Sequence, residues 1–386
     1  MAGGKALMKA ARALEETLRD IRRDLHQHPE VAFQEKRTSA KVAEILRGLG
    51  IETTTNVNRT GVLGVLKGGR PGHVVGLRGD MDALPMQETN DVPYRSVNPG
   101  VCHACGHDAH TAMLLGAAML LARARDQVPG TVKFFFQPAE ESISGAEGMI
   151  AAGVMERPKV ERVYGIHLRP EVPFGHIATA AGAMMAGANH FVVTVTGRGG
   201  HGAAPHMTAE PLPAAHAIYA GFQTLRRNVN ALEPMVLSVC DFHSGTSFNI
   251  VPDEARMQGT LRFMNPEVKE TVRQRMREIV KGAAAAFKVK AKLEFRMSCP
   301  ALINDEAASR AVEAAARAVG VPVEKLAPVM TSEDFSLFAQ AAPSALFRLG
   351  TRKPGWERTL HNGTFDFDDS ALPVGAAVLA QCVFEW

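Results

Sequence analysis

Nine consecutive positions, Cys102-His-Ala-Cys-Gly-His-Asp-Ala-His110, hold two cysteines, three histidines and one aspartate just ahead of a run of Ala, Leu and Met. Thiolate and imidazole are the preferred ligands of zinc-like metals. Cys105 and His107, two residues apart, can reach a common metal region from a loop. Two other arrangements use the same residues: histidines that merely cap the following helix, and a closed structural zinc site. The second usually pairs two CxxC or HxxxH units, and the chain has no second CxxC.

Gln137-Pro-Ala-Glu140-Glu141 stands where the apolar run KFFF gives way to a loop. Adjacent side chains on extended backbone point in different directions. One carboxylate of such a pair can therefore bind a metal while the other faces the open position and takes a proton from the attacking water. Neighbouring glutamates are also common on solvated surfaces, and the aromatic strand in front is what sets this pair apart. Arg78-Gly-Asp-Met-Asp82 ends another apolar run. Asp82 can act there as the carboxylate that receives the second N–H of a metal-bound imidazole. His167 in GIHL and His361 in LHNG are single histidines near strand ends, a setting in which a histidine is more often structural.

The elements that must position these residues follow from periodicity. The N-terminal stretch MAGGKALMKAARALEETLRDIRRDL reads as one amphipathic helix carrying acids, and Ser39–Gly50 as a second. Strands are expected in GVLGVLKG, HVVGLRGDMDALP, TVKFFFQP and RVYGIHL, with helices over Ala109–Ala124 and Ala146–Ala152 between them. Such alternation predicts an α/β domain with a mostly parallel sheet covered by helices. From Ala188 the style changes: FVVTVTG, MVLSVCDFHSG, ARMQGTLRFM and KVKAKLEFRM alternate as half-exposed strands, with helices over about Pro211–Asn228 and Pro266–Ala286. These four strands and two helices form a ferredoxin-like α+β unit. The α/β style returns after Pro300 with a helix at Glu306–Val319. The expectation is a discontinuous catalytic domain, 1–185 and 298–386, interrupted by an inserted domain, 186–297.

A chain of 386 residues exceeds the size at which one core stops growing. With 43 Lys plus Arg against 40 Asp plus Glu, the formal charge is only +3, which argues against a nucleic-acid or membrane-surface protein. No apolar run approaches the roughly 20 residues of a membrane helix, and the N-terminus does not read as a signal peptide. Five cysteines, an odd number spread over the chain, do not make a disulfide framework. A reducing cytoplasm is the expected setting.

In order, RRDLHQHPE, RGDMDALPMQE, HACGHDAHT, FFFQPAEE, GIHL, GGHGAAPH, FNIVPDEARMQGTLR, TSEDFS and LHN resemble the M20 metallopeptidase family. Within it they resemble the branch of hippurate hydrolases, N-acyl-amino-acid amidohydrolases and plant auxin-conjugate hydrolases. The likeness runs from Arg22 to Asn362. It implies a metal-dependent amidohydrolase that splits an N-acyl amino acid into a carboxylic acid and a free amino acid. A carboxypeptidase or dipeptidase of the same family is the alternative. Cys105, His107, Glu141, His167 and His361 become ligands of two divalent ions per subunit, with Zn, Mn, Co and Ni not distinguished, and Glu140 the general base. The inserted unit becomes a lid and dimerisation domain, its His201 reaching the partner subunit's active site to stabilise the oxyanion. Asn249 and Arg262 join the substrate site; an Arg suits a free carboxylate because its fork pairs bidentately, although Arg262 also reads as a surface cation on a strand. Asp80 stands where other branches carry a metal-binding histidine, so the metal environment differs from that of the dizinc exopeptidases.

Three competing readings remain open at this level. Cys105 with a nearby histidine could form a thiol hydrolase, and a metal-binding scaffold without turnover would keep the same ligands. Gly197-Arg-Gly-Gly-His-Gly202 matches GxGxxG, yet no acidic residue follows about 20 positions on, as a dinucleotide site requires. Met184, Met185 and Phe335 are either liners of an acyl pocket or core.

Overall fold

The computed structural model describes residues 3–356 and 358–386. In chain order the elements are α1 (Gly4–Arg12), α2 (Glu15–Gln27), α3 (Lys36–Gly48), β1 (Glu52–Val57), β2 (Gly61–Lys67), β3 (Arg70–Asp80), α4 (His107–Arg123), β4 (Pro129–Gln137), α5 (Gly145–Ala151), β5 (Arg162–Pro173), β6 (Ile177–Thr179) and β7 (Gly182–Met185). Next come β8 (Gly187–Thr196), β9 (Gly200–His201), α6 (Pro211–Gln223), β10 (Met235–Ser244), β11 (Ile250–Val251), β12 (Glu254–Phe263), α7 (Pro266–Phe287) and β13 (Lys290–Cys299). The chain closes with β14 (Leu302–Asn304), α8 (Glu306–Ala318), β15 (Val323–Lys325), α9 (Phe335–Ala341), β16 (Ser344–Arg352) and α10 (Leu372–Cys382).

Two compact units result: Met1–Gly182 with Ile303–Ala327 and Asp334–Trp386, and Ala183–Leu302 with Pro328–Glu333. The first is built on an eight-stranded sheet of order β1-β2-β4-β3-β5-β16-β6-β15. Its centre, β4-β3-β5-β16, is parallel, and antiparallel strands flank it on both sides. Parallel strands covered on both faces are buried along their length and mostly apolar: the last six residues of β4, Val132 to Gln137, are all buried, as is every residue of β5 from Arg162 to Leu168. Helix α4 is buried from His107 to Leu121. Gly375 of α10 makes the close approach of that helix possible, since a Cβ there would sit 2.0 Å from Met113 Sδ.

The second unit has a four-stranded sheet of order β10-β12-β8-β13 with every pair antiparallel. Helices α6 and α7 pack on it through Ile218, Phe222, Val272 and Met276, giving the β-α-β-β-α-β ferredoxin-like connectivity.

Local boundaries differ from the sequence reading in informative places. The N-terminal helix is two helices, α1 and α2, because the chain turns at Ala13–Leu14 and buries Leu7 and Ala11 on one side of the turn, Leu18 and Leu25 on the other; Met1 and Ala2 of that reading lie outside the described residues. Helix α3 begins at Lys36 rather than Ser39, and α6 ends at Gln223, its continuation Leu225–Asn228 tightening into a 3₁₀ turn. Helix α4 begins at His107 rather than Ala109, after Gly106 at φ 85°. His107 therefore rides on a rigid helical turn and not on a loop.

Candidate metal centre

Most candidate ligands of the first unit sit at or just beyond an element of the parallel sheet or its covering helix, with Cys105 two residues before α4 and His361 in the chain that leads from β16 to α10. Asp80 ends β3, and Glu140 and Glu141 follow β4. His167 lies within β5, His107 opens α4, and His361 follows β16. The carboxyl ends of adjacent parallel strands are where such folds gather ligand-binding loops.

Asp82 organises the centre. Its Oδ1 accepts from His107 Nδ1 at 3.2 Å and from the Glu140 backbone N–H at 3.0 Å, while Oδ2 accepts from the Glu141 N–H at 3.0 Å. Because a carboxylate only accepts, His107 Nδ1 carries a proton, and Nε2 is the nitrogen left for the site. His167 is fixed in the same sense, its Nδ1 donating to Leu168 O at 2.7 Å and its Nε2 lying 3.5 Å from Cys105 Sγ. Backbone His361 N donates to Ala104 O at 2.8 Å, with His361 itself in the left-handed region at φ 55°. Its Nε2 lies 3.2 Å from Glu141 Oε1.

The donor set fits a pair of divalent ions. Cys105, His107 and His167 have ligand atoms within 4.8 Å of one another, as do Cys105, Glu141 and His361, and His107, Glu140 and Glu141. His107 Nε2 is buried without a hydrogen-bond partner, a costly state for a polar atom that a metal relieves, and Glu141 Oε1 has His361 Nε2 at 3.2 Å. Electrostatics agree. Burial pushes the Cys105 thiol up to about 12, which disfavours a free nucleophilic thiolate, whereas a coordinated thiol is deprotonated outright. Burial, with His110 next to it, holds His167 well below the usual imidazole value and hence neutral. Burial also opposes charge on His107, but Asp80 and Cys105 outweigh it and raise that pKa well above normal. For Glu141 burial is likewise outweighed, by His361 and His107, and the carboxyl is lowered; the same contact with Glu141 raises His361.

A second ring of buried residues, to which the sequence assigned no role, holds this frame. Arg22 Nε donates to Asp108 Oδ2 at 2.8 Å, with Asp366 and Asp369 on its other nitrogens. His26 bridges Asp108 at 2.8 Å and Glu88 at 3.1 Å. Asp108 adjoins His107, so the opening RRDLHQHPE segment anchors the first turn of α4. Glu35 accepts from Ala139 N at 2.9 Å and from Thr60 Oγ1, holding Ala139 at φ 55° directly before Glu140. Five acids, an arginine and a histidine drawn from distant parts of the sequence carry no local pattern that would have flagged them. Phe335 is fully buried against Phe338, and Met184 and Met185 are buried as well.

His201, Asn249 and Arg262 belong to the second unit. Two of them are brought together there: β9 pairs with β11, setting His201 opposite Ile250, and Gly202 N donates to Asn249 O at 2.9 Å. His201 Nδ1 accepts from Ala203 N at 3.0 Å, which places the proton of the neutral ring on the exposed Nε2 as a donor. Arg262, on β12, donates to Ser332 Oγ.

Residues 76–385 match Peptidase family M20/M25/M40. The chain is 41% identical to thermostable carboxypeptidase 2 of Saccharolobus solfataricus over 96% of this chain and 95% of that protein. It is 42% identical to the N-acyl-L-amino acid amidohydrolase of Geobacillus stearothermophilus, over 76% of this chain and 80% of the relative. The crystal structure of the Bacillus subtilis YXEP protein, a dinuclear metal binding peptidase from the M20 family, superposes with a TM-score of 0.84 at 34% identity, covering 96% of this chain and 98% of that one. Fold, donor set and sequence agree, and this chain is an amide-bond hydrolase that belongs to Peptidase family M20/M25/M40.

Proposed function

We propose that this protein hydrolyses the amide bond of N-acyl amino acids, with Cys105, His107, Glu141, His167 and His361 holding two divalent ions and Glu140 acting as general base. The observation that carries this reading is the Asp82 carboxylate, which ties the His107 ring and the Glu140 and Glu141 peptides into one rigid array. The ions, when bound, supply Lewis-acid activation of water and of the scissile carbonyl. Glu140, buried to 6% exposure, receives the proton of the attacking water and passes it to the leaving amine. His201 donates from Nε2 to the oxygen that becomes negative. Arg262 pairs with the substrate's free carboxylate, and Asn249 assists it. The centre sits in residues 1–185 and 298–386, and 186–297 act as lid and dimerisation domain.

The functional unit is a homodimer or larger homo-oligomer in which His201 serves the partner's centre. Mixing Glu140→Gln and His201→Ala subunits tests this: hybrids regain activity if the histidine acts in trans and none if it acts in cis. A cytoplasmic setting accords with five free cysteines; among the described residues no helix is long and apolar enough to cross a membrane. A peptidase reading is favoured by the 41% identity to a carboxypeptidase and the 34% identity to a dinuclear metal binding peptidase. Hydrolysis of N-acetyl, N-benzoyl and dipeptide substrates by one metal-quantified sample separates the two; turnover of dipeptides alone would overturn the acyl-amino-acid reading.

A further inference from the structure

His110, the third histidine of the 102–110 segment, lies within 4.8 Å of donors from Asp80 and His107, yet both of its nitrogens are spoken for. The Leu168 N–H donates to His110 Nε2 at 2.9 Å. An amide N–H only donates, so Nε2 supplies its lone pair and the ring proton resides on Nδ1, 2.6 Å from Asp80 Oδ1. The other Asp80 oxygen accepts from Arg78 at 2.6 Å, and the Asp80 carbonyl accepts from Thr111 Oγ1 at 2.8 Å. Arg78, Asp80, His110 and Thr111 are all completely buried.

The main chain of Leu168 is the link to the metal centre. Its N–H, in the peptide that follows His167, is taken by His110, and its C=O, in the next peptide, accepts the Nδ1 proton of His167, whose Nε2 faces Cys105 Sγ at 3.5 Å. We infer that His110 is a positioning residue and not a ligand: with Asp80 it clamps the Leu168 main chain, and through the backbone of that residue it sets the ring orientation and tautomer of His167. This rests on His167 being a metal ligand. Withdrawing the His110 acceptor strands a buried amide N–H; recovering it requires the His167–Leu168 peptide to rotate, which changes φ at Leu168 and with it the direction of the Leu168 carbonyl that holds the His167 ring. Partners of this kind are worth about 10–100-fold in metal affinity.

Metal-free protein titrated with Co²⁺ alone, followed by visible absorption, reads both affinity and ligand geometry. His110→Phe keeps a planar ring but neither hydrogen bond, and is expected to bind about 10–100-fold more weakly with a changed ligand-field spectrum. His110→Gln can still accept from Leu168 N and is expected to recover most of both. Wild-type affinity and spectrum in His110→Phe, alongside loss of binding in His167→Ala, overturn the proposal. Undiminished binding in His167→Ala instead removes the ligand assignment, and the proposal with it. Wild-type protein gives a check independent of any variant's folding: ¹⁵N spectra of the histidine rings are expected to show His110 as the Nδ1–H tautomer, unmoved at Nε2 by Zn²⁺, while His167 Nε2 shifts. A Zn²⁺-induced coordination shift at His110 overturns the proposal.

Discussion

Replacing Asp82 by Asn is the smallest change that separates charge and acceptor count from shape. The carboxylate, 1% exposed, accepts three hydrogen bonds, two on Oδ1 and one on Oδ2. An amide has one oxygen. If that oxygen faces His107 and Glu140, the NH₂ meets the Glu141 N–H donor to donor, and a stranded buried donor costs about 1–3 kcal/mol. If the amide is turned, the NH₂ faces His107 Nδ1, which must then accept, so the imidazole proton moves to Nε2 and occupies the lone pair intended for metal. Either way roughly 2 kcal/mol is lost from the metal-competent arrangement, and at 1.4 kcal/mol per factor of ten that is about thirtyfold in affinity. Competition against a chromophoric chelator, with ions per chain determined on the same samples, measures it. Circular dichroism establishes that the fold survives. An Asp82→Asn protein with unchanged zinc affinity and unchanged kcat would refute the claim that this carboxylate sets the His107 tautomer and the glutamate register.

Glu140→Gln is expected to keep both ions while kcat falls by roughly 10²–10⁴; substantial residual turnover removes Glu140 from the base role. Metal binding must displace protons from His107, raised well above its normal pKa, and from Cys105, near 12. Apparent affinity should therefore weaken as pH falls, about tenfold per unit for each proton released, and pH-independent zinc titrations would contradict the ligand set. Chelator treatment is expected to abolish activity and added metal to restore it, whereas alkylation should be slow at the buried Cys105; the reverse pattern supports a thiol hydrolase. Arg22→Met leaves Asp108 and Asp366 without their buried cation and is expected to cost about 3–5 kcal/mol in urea unfolding, with a loss under about 1 kcal/mol arguing against the anchoring role.

How much of this was legible in sequence follows from the range of each interaction. The 102–110 segment exposes its chemistry because thiol, imidazole and carboxylate crowd into nine positions, a density that solvated loops do not need. Alternation of apolar strands and helices identified the α/β unit, and a change of strand style identified the ferredoxin-like one, since a two-residue period reports which faces are buried. Glu140 and Glu141 were legible as a pair through the strand before them. His167 and His361, by contrast, offered only the likeness to a family.

Tertiary structure alone decided which nitrogen each histidine offers. His107, His110 and His167 are the same residue type, yet Asp82 and the Leu168 carbonyl leave Nε2 of His107 and of His167 for the centre, while Asp80 and the Leu168 N–H occupy both nitrogens of His110. Those partners arrive from β3, the two residues after it, and β5, and a hydrogen bond between residues 58 positions apart leaves no local periodicity to read. The same holds for Arg22, whose partners Asp108, Asp366 and Asp369 become visible only once α2, α4 and the segment before α10 are packed. Sequence supplied the donors, because composition and spacing are local properties. Their directions are set by buried contacts across the sheet, which form only when the chain has folded.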